Sequence, residues 1–174
     1  EHVLKTGVRI AHELDGERTA LNADAAHYRG FRNIQLHPRD TGAAMLEFNW
    51  TKGGEDRLGP YGPAGPDWQK HVRSDVTRGL TGATLESPDP LRLAEKWSEV
   101  IRRKATRGDD GAFVIQLDDG LVRVRQGGTE DALTGLDVVV ADTKRVVEAA
   151  RRSGWTTTPS SVYAFGVRFD LTET

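Results

Sequence analysis

The chain has no cysteine among its 174 residues. That removes disulfides, zinc–thiolate centres and thiol nucleophiles, and it fits a reducing compartment, so a cytoplasmic location is expected. Charge of one sign is also lacking. Twenty-four Lys and Arg face 26 Asp and Glu, a formal net charge of −2, and the two signs are interspersed. The basic footprint of a nucleic-acid binder is therefore missing, and no nucleic-acid partner is expected. No apolar run approaches the roughly 20 residues that span a bilayer, so no membrane partner is expected, and no secretory signal is visible. The chain opens on Glu1-His2-Val3, which reads as a start partway through a longer gene product. G-x-S-x-G, P-loop and G-x-G-x-x-G patterns are missing in any usable context.

What is present is organised around residues 31–50. Phe31–Leu36 reads as a strand, and Pro38-Arg39-Asp40-Thr41-Gly42 carries turn chemistry. Ala43–Trp50 then alternates. Ala44, Leu46, Phe48 and Trp50 share one face, and Ala43, Met45, Glu47 and Asn49 the other. Glu47 is thus a lone carboxylate in mid-strand, opposite an apolar stripe. Upstream, Glu1–Gly7 reads as a helix tail, Val8–Leu14 as a strand and Leu21–Arg29 as a polar connection containing His27 and Tyr28. Glycine and proline crowd into residues 51–79, which reads as a connecting loop. Tyr61 and Trp68 within it mark a loop packed on the protein or lining a ligand mouth.

An internal repeat follows. Leu80–Glu86 is a strand candidate, Asp89 an N-cap with Pro90 in the first helical position, and Leu91, Ala94, Trp97, Val100 and Ile101 recur at helical spacing to about Arg103. Ala112–Leu117 and Leu121–Arg125 form a hairpin around Asp118-Asp119-Gly120. Leu133–Ala141 is again a strand opening on Leu-Thr-Gly. Asp142 or Thr143 is again a cap, and a second helix ends at Gly154. Val162–Thr172 closes the chain as a strand. Two strand–helix units with one opening motif indicate duplication. Strands in mainly antiparallel sheets with helices on one side give the α+β class.

His37-Pro38-Arg39-Asp40-Thr41-Gly42 followed by Met45-Leu46-Glu47 resembles the end of a module of the vicinal oxygen chelate superfamily, which includes glyoxalase I, bleomycin-resistance proteins and extradiol dioxygenases. The motif is most similar to the methylmalonyl-CoA epimerase branch. The resemblance implies paired β-α-β-β-β modules whose curved antiparallel sheets form a cup. It implies that residues 1–50 are the closing part of one module, 51–79 a connection, and 80–174 a duplicated module pair. It also makes Glu47 a candidate metal ligand and catalytic carboxylate for a divalent ion, with His12 in reach of the same cup. In residues 80–174 the first-strand ligand positions carry no histidine, and Arg123 and Arg125 occupy a face where a cation would be repelled.

Two functions are compatible with these residues. One is a metal-dependent lyase or isomerase, in which an ion bound partly by Glu47 polarises two adjacent substrate oxygens. The other is a metal-free small-molecule binder of the bleomycin-resistance type, in which Trp68, Trp97 or Trp50 packs on a ligand and Arg123 and Arg125 meet an anionic group. An open sheet edge in such a module is normally completed by a partner, so a homodimer is expected.

Overall fold

A computed structural model describes residues 1–17 and 28–174; most of the polar connection 21–29, with His27, lies outside the described residues. The chain divides into two compact units, Glu1–Thr41 with Met45–Val72, and Gly42–Ala44 with Arg73–Thr174.

In the first unit, a single helical turn α1 (His2–Lys5) precedes strand β1 (Ile10–Asp15), β2 (Phe31–Leu36), the short helix α2 (Pro38–Thr41) and β3 (Glu47–Thr51). The three strands form one antiparallel sheet in the order β1-β2-β3. The stretch after His37, expected as a turn, is one full helical turn, with the Asp40 and Thr41 amides donating to the His37 carbonyl. Proline supplies the first helical φ, and Gly42 leaves the helix at φ +66°. Arg9 clamps this turn from both ends of its guanidinium edge: Nη2 and Nε each lie 2.8 Å from an Asp40 oxygen. The hydrogen bond from Arg9 holds the Asp40 carboxyl well below the usual carboxylate range.

In the second unit the chain runs β4 (Thr77–Ser87), α3 (Pro90–Ile101), β5 (Ala105–Arg107), β6 (Phe113–Gln116), β7 (Leu121–Gln126), then β8 (Ala132–Val140), α4 (Thr143–Arg152), β9 (Thr156–Thr157), β10 (Ser161–Ala164) and β11 (Val167–Glu173). That is β-α-β-β-β twice. The eight strands form one open sheet in the order β5-β6-β7-β4-β8-β11-β10-β9. The halves meet where β4 and β8 pair antiparallel, and each half folds its last strand back parallel to its first, β4 on β7 and β8 on β11. The protein is α+β.

The caps form as the sequence dictates. Asp89 accepts a hydrogen bond from the Arg92 amide at 3.1 Å, and Asp142 from the Arg145 amide at 2.8 Å, contacts that contribute about 1 kcal/mol each. Helix α3 buries Leu93, Ala94, Trp97 and Val100 over the sheet side that holds Leu85, Ile115, Val122 and Val124. Burying such side chains contributes roughly 1.5–3 kcal/mol apiece at most. Helix α4 does the same with Val147 against Val140, Val162, Ala164 and Leu171. The register pairs Ala83 with Leu136 and Thr84 with Gly135, so both helices cover one side of the sheet and the other side carries Thr84, Arg123, Asp137 and Arg168.

The closing segment, expected as one strand, is a hairpin. Phe165 and Gly166 turn it with φ +54° and +80°. The glycine meets that requirement freely, whereas the phenylalanine is strained there and is 85% exposed. The three-residue β5 and two-residue β9 are too short to leave a periodic signal.

Candidate functional site

In the first unit the hydrophilic positions of three strands fall into register. Gln35 pairs with His12 on one side and with Glu47 on the other, and Asn33 pairs with Asn49. The amides build a ladder on the carboxylate. Asn49 Nδ2 donates to Glu47 Oε1 at 2.7 Å, Gln35 Nε2 donates to Oε2 at 2.8 Å, and Asn33 Nδ2 donates to Asn49 Oδ1 at 2.7 Å. Hydrogen bonds from Asn49 and Gln35 lower the Glu47 pKa from its ordinary value, with a smaller electrostatic contribution from His12. Glu47 is exposed, yet it is an ordered anion. The structure therefore brings Glu47 and His12 to one row.

Asn49 also lines a pocket of about 450 Å³ between β3 and the loop that follows it. Trp50, Thr51, Tyr61 and Trp68 line it together with Glu55, Asp56 and Arg57. Each aromatic wall is anchored. Tyr61 packs edge-on to the buried Phe31 at 6.0 Å, the Arg32 guanidinium lies 5.5 Å over the Trp50 ring, and Trp68 Nε1 donates to the Gly59 carbonyl at 3.2 Å. Tyr61 thus ties the Gly/Pro-rich loop to β2, and Trp68 ties the loop to itself. The volume lies in the range of small-molecule pockets.

In the second unit the helix-free side of the sheet carries two ion pairs, one across strands and one along β11. Arg123 Nη2 lies 2.8 Å from Asp137 Oδ2, and Arg123 Nη1 donates to Thr84 Oγ1 at 3.1 Å. These side chains are only 23% and 17% exposed. Arg168 pairs with Asp170 at 2.8 Å, and its pKa is raised chiefly by that hydrogen bond, with Tyr163 adding to it. Asp137 and Asp170 are register partners on β8 and β11. Gly82 makes the arrangement possible, because a Cβ there would collide with the Asp137 carboxylate.

These residues do not fit a divalent metal. A cation on the second unit's open sheet side would sit among the guanidinium groups of Arg123 and Arg168, and each nearby aspartate already has its own arginine. In the first unit both Glu47 oxygens accept amide hydrogens, and His12 is the one imidazole in its row. Among the described residues no three His, Asp or Glu side chains come together.

The other anticipated residues fall in different surroundings. Trp68 lines the loop pocket. Trp97 is 4% exposed in the α3 core, on the helix side of the sheet. Arg123 is taken up by Asp137. Arg125, two residues on, has only a 3.5 Å approach to Asp110. The amide ladder of Asn33, Gln35 and Asn49 was not anticipated, although alternate polar residues on two neighbouring strands are the signal that would have found it.

No protein-family model matches the sequence, and no curated protein matches it. Solved structures do. A hypothetical protein from Staphylococcus aureus superposes with a TM-score of 0.55 at 11% identity, over 83% of this chain and 50% of that one. A glyoxalase I variant from Zea mays superposes with a TM-score of 0.50 at 16% identity, over 99% of this chain and 63% of that one. Methylmalonyl-CoA epimerase from Mycobacterium tuberculosis is also similar, with a TM-score of 0.45 at 12% identity, over 59% of this chain and 91% of that one. The chain thus spans half to five-eighths of the length of the first two. At such identities the likeness shows the fold alone.

Proposed function

The chain has the paired β-α-β-β-β fold of the vicinal oxygen chelate superfamily, and from that premise we propose that it binds a small organic molecule without a resident metal, in the pocket walled by Trp50, Tyr61 and Trp68. The observation that carries this reading is the pocket itself, lined by Trp50, Tyr61 and Trp68 and reached by Asn49, whose side chain is held by hydrogen bonds to Glu47 and Asn33. Aromatic walls contribute area without losing much side-chain freedom, and Asn49 offers a polar group for orientation. In this reading Glu47 is a positioning residue: it fixes Asn49 and touches the ligand only through it.

The lyase or isomerase alternative needs Glu47 and His12 to give their electron pairs to a metal, and therefore needs the amide ladder to open. Within the proposal, the sheet of residues 1–50 corresponds to the closing strands of a module, the second unit is the duplicated pair, and the chain pairs with a second copy through the open edges of β1 or β3. No helix among the described residues is long and apolar enough to cross a membrane.

The test is ligand-observed NMR with aromatic fragments such as indole and naphthol. Saturable binding that weakens about tenfold or more in Trp68→Ala supports the pocket. Absence of binding to the native protein, or binding indifferent to the substitution, refutes it.

A further inference from the structure

The β10–β11 hairpin turns through Phe165 and Gly166, both at positive φ. Asparagine followed by glycine is what such a turn favours. Phenylalanine at φ +54° is strained there, and it is 85% exposed, so neither the turn nor a core accounts for it. Trp155, itself 39% exposed, packs against that ring with the centroids 4.8 Å apart.

The first half of the unit shows what the matching place holds there. Arg103 follows the left-handed Arg102 that ends α3, as Trp155 follows the left-handed Gly154 after α4, and Asp118 opens the two-residue turn between β6 and β7, as Phe165 opens its own. Arg103 Nη2 lies 2.8 Å from Asp118 Oδ1. The second half thus has two exposed aromatic rings where the first has a hydrated ion pair. Cations stand beside these rings. Between Glu148 and Asp170 the chain carries three arginines and no acidic residue. Arg168 is spent on Asp170. Arg151, in the last turn of α4, reaches the Thr157 hydroxyl at 3.4 Å, and among the described residues neither it nor Arg152 has an ion pair.

We propose that this end of the second unit rests on an anionic lipid surface, with Phe165 and Trp155 entering the headgroup–acyl boundary and Arg151 and Arg152 meeting the lipid phosphates. An apolar knob flanked by cations matches that boundary in shape and in charge. An extended peptide needs a groove or a free sheet edge, and the edge strand here, β9, is two residues long. A second copy seated patch to patch would bring arginines of like charge together. The missing membrane span bears on crossing a bilayer, not on resting against one. The surface stands independently of the aromatic pocket of the first unit.

Co-sedimentation with vesicles of phosphatidylcholine alone, and of phosphatidylcholine mixed with phosphatidylglycerol, tests it at low ionic strength. The native protein should bind the mixed vesicles, leave the neutral ones, and come off as salt is raised. Phe165→Asn gives the turn its favoured Asn-Gly, so this variant should melt no lower than the native protein while its vesicle binding weakens about fivefold. Arg151→Gln with Arg152→Gln should weaken binding about tenfold. No binding to the mixed vesicles overturns the proposal, as does equal binding to both kinds or binding unchanged in Phe165→Asn. A concentration-dependent dimer that Phe165→Asn abolishes would put a second copy on this surface and overturn it too.

Discussion

Arg123 on β7 reaches over β4 to Asp137 on β8 and closes at 2.8 Å, with Thr84 of the intervening strand accepting a second hydrogen bond. The pair crosses the junction of the two β-α-β-β-β halves on the side of the sheet that no helix covers. It ties the halves together with opposed charges and takes up the Asp137 carboxylate.

Because both partners are mostly buried, removing one leaves the other poorly solvated. Arg123→Met should destabilise the protein by about 1.5–3 kcal/mol, and the double substitution Arg123→Met with Asp137→Leu should recover much of the loss. Urea unfolding of the four proteins of the cycle measures this. Additive losses would mean that the pair is not coupled.

Gly82 is required by the same contact. A Cβ at this position would lie 3.0 Å from Asp137 Cγ and 3.3 Å from Asp137 Cβ. Gly82→Ala should therefore push Asp137 aside and cost about 1–3 kcal/mol. In an Asp137→Gly background the alanine should be tolerated. Equal costs in both backgrounds would point to a backbone cause instead.

Much of this architecture is legible in the residues, and the reasons are local. Asp89 followed by Pro90, and the Leu91-to-Ile101 periodicity, specify α3 without tertiary help. The repeated Leu-Thr-Gly opening reveals that β4 and β8 are equivalent. The Arg123–Asp137 pair is a different matter. It joins residues from strands that are not neighbours in the sheet, so no spacing along the chain announces it. Trp97 shows the converse limit: helical spacing places it on the apolar face of α3, but only packing shows that the face is a sealed core. The single strand expected over Val162–Thr172 fails because alternation continues across the Phe165–Gly166 turn, and the left-handed residue in that turn is a phenylalanine rather than asparagine or a second glycine.

The amide ladder gives Glu47 a pH signature. Its folded pKa is lowered from an ordinary 4.5, so its contribution to stability is complete above that value and disappears as the pH falls through the depressed folded value. Glu47→Gln sets an amide against the amide donors and loses the contribution at neutral pH. The native protein's advantage over Glu47→Gln should be level above about pH 5 and shrink on acidification below the ordinary value. Chemical denaturation across pH 3–7 checks this, and an advantage that grows in acid would contradict the ladder.

Ion pairs take up Asp137 and Asp170, and amide hydrogens take up both oxygens of Glu47, so none of these carboxylates is left open to a metal. The most direct measurement is the metal content of the purified native protein and of Glu47→Gln, after equilibration with magnesium, manganese, nickel and zinc and removal of unbound ions. Neither protein should retain stoichiometric metal. One equivalent per chain in the native protein, lost in Glu47→Gln, would contradict it.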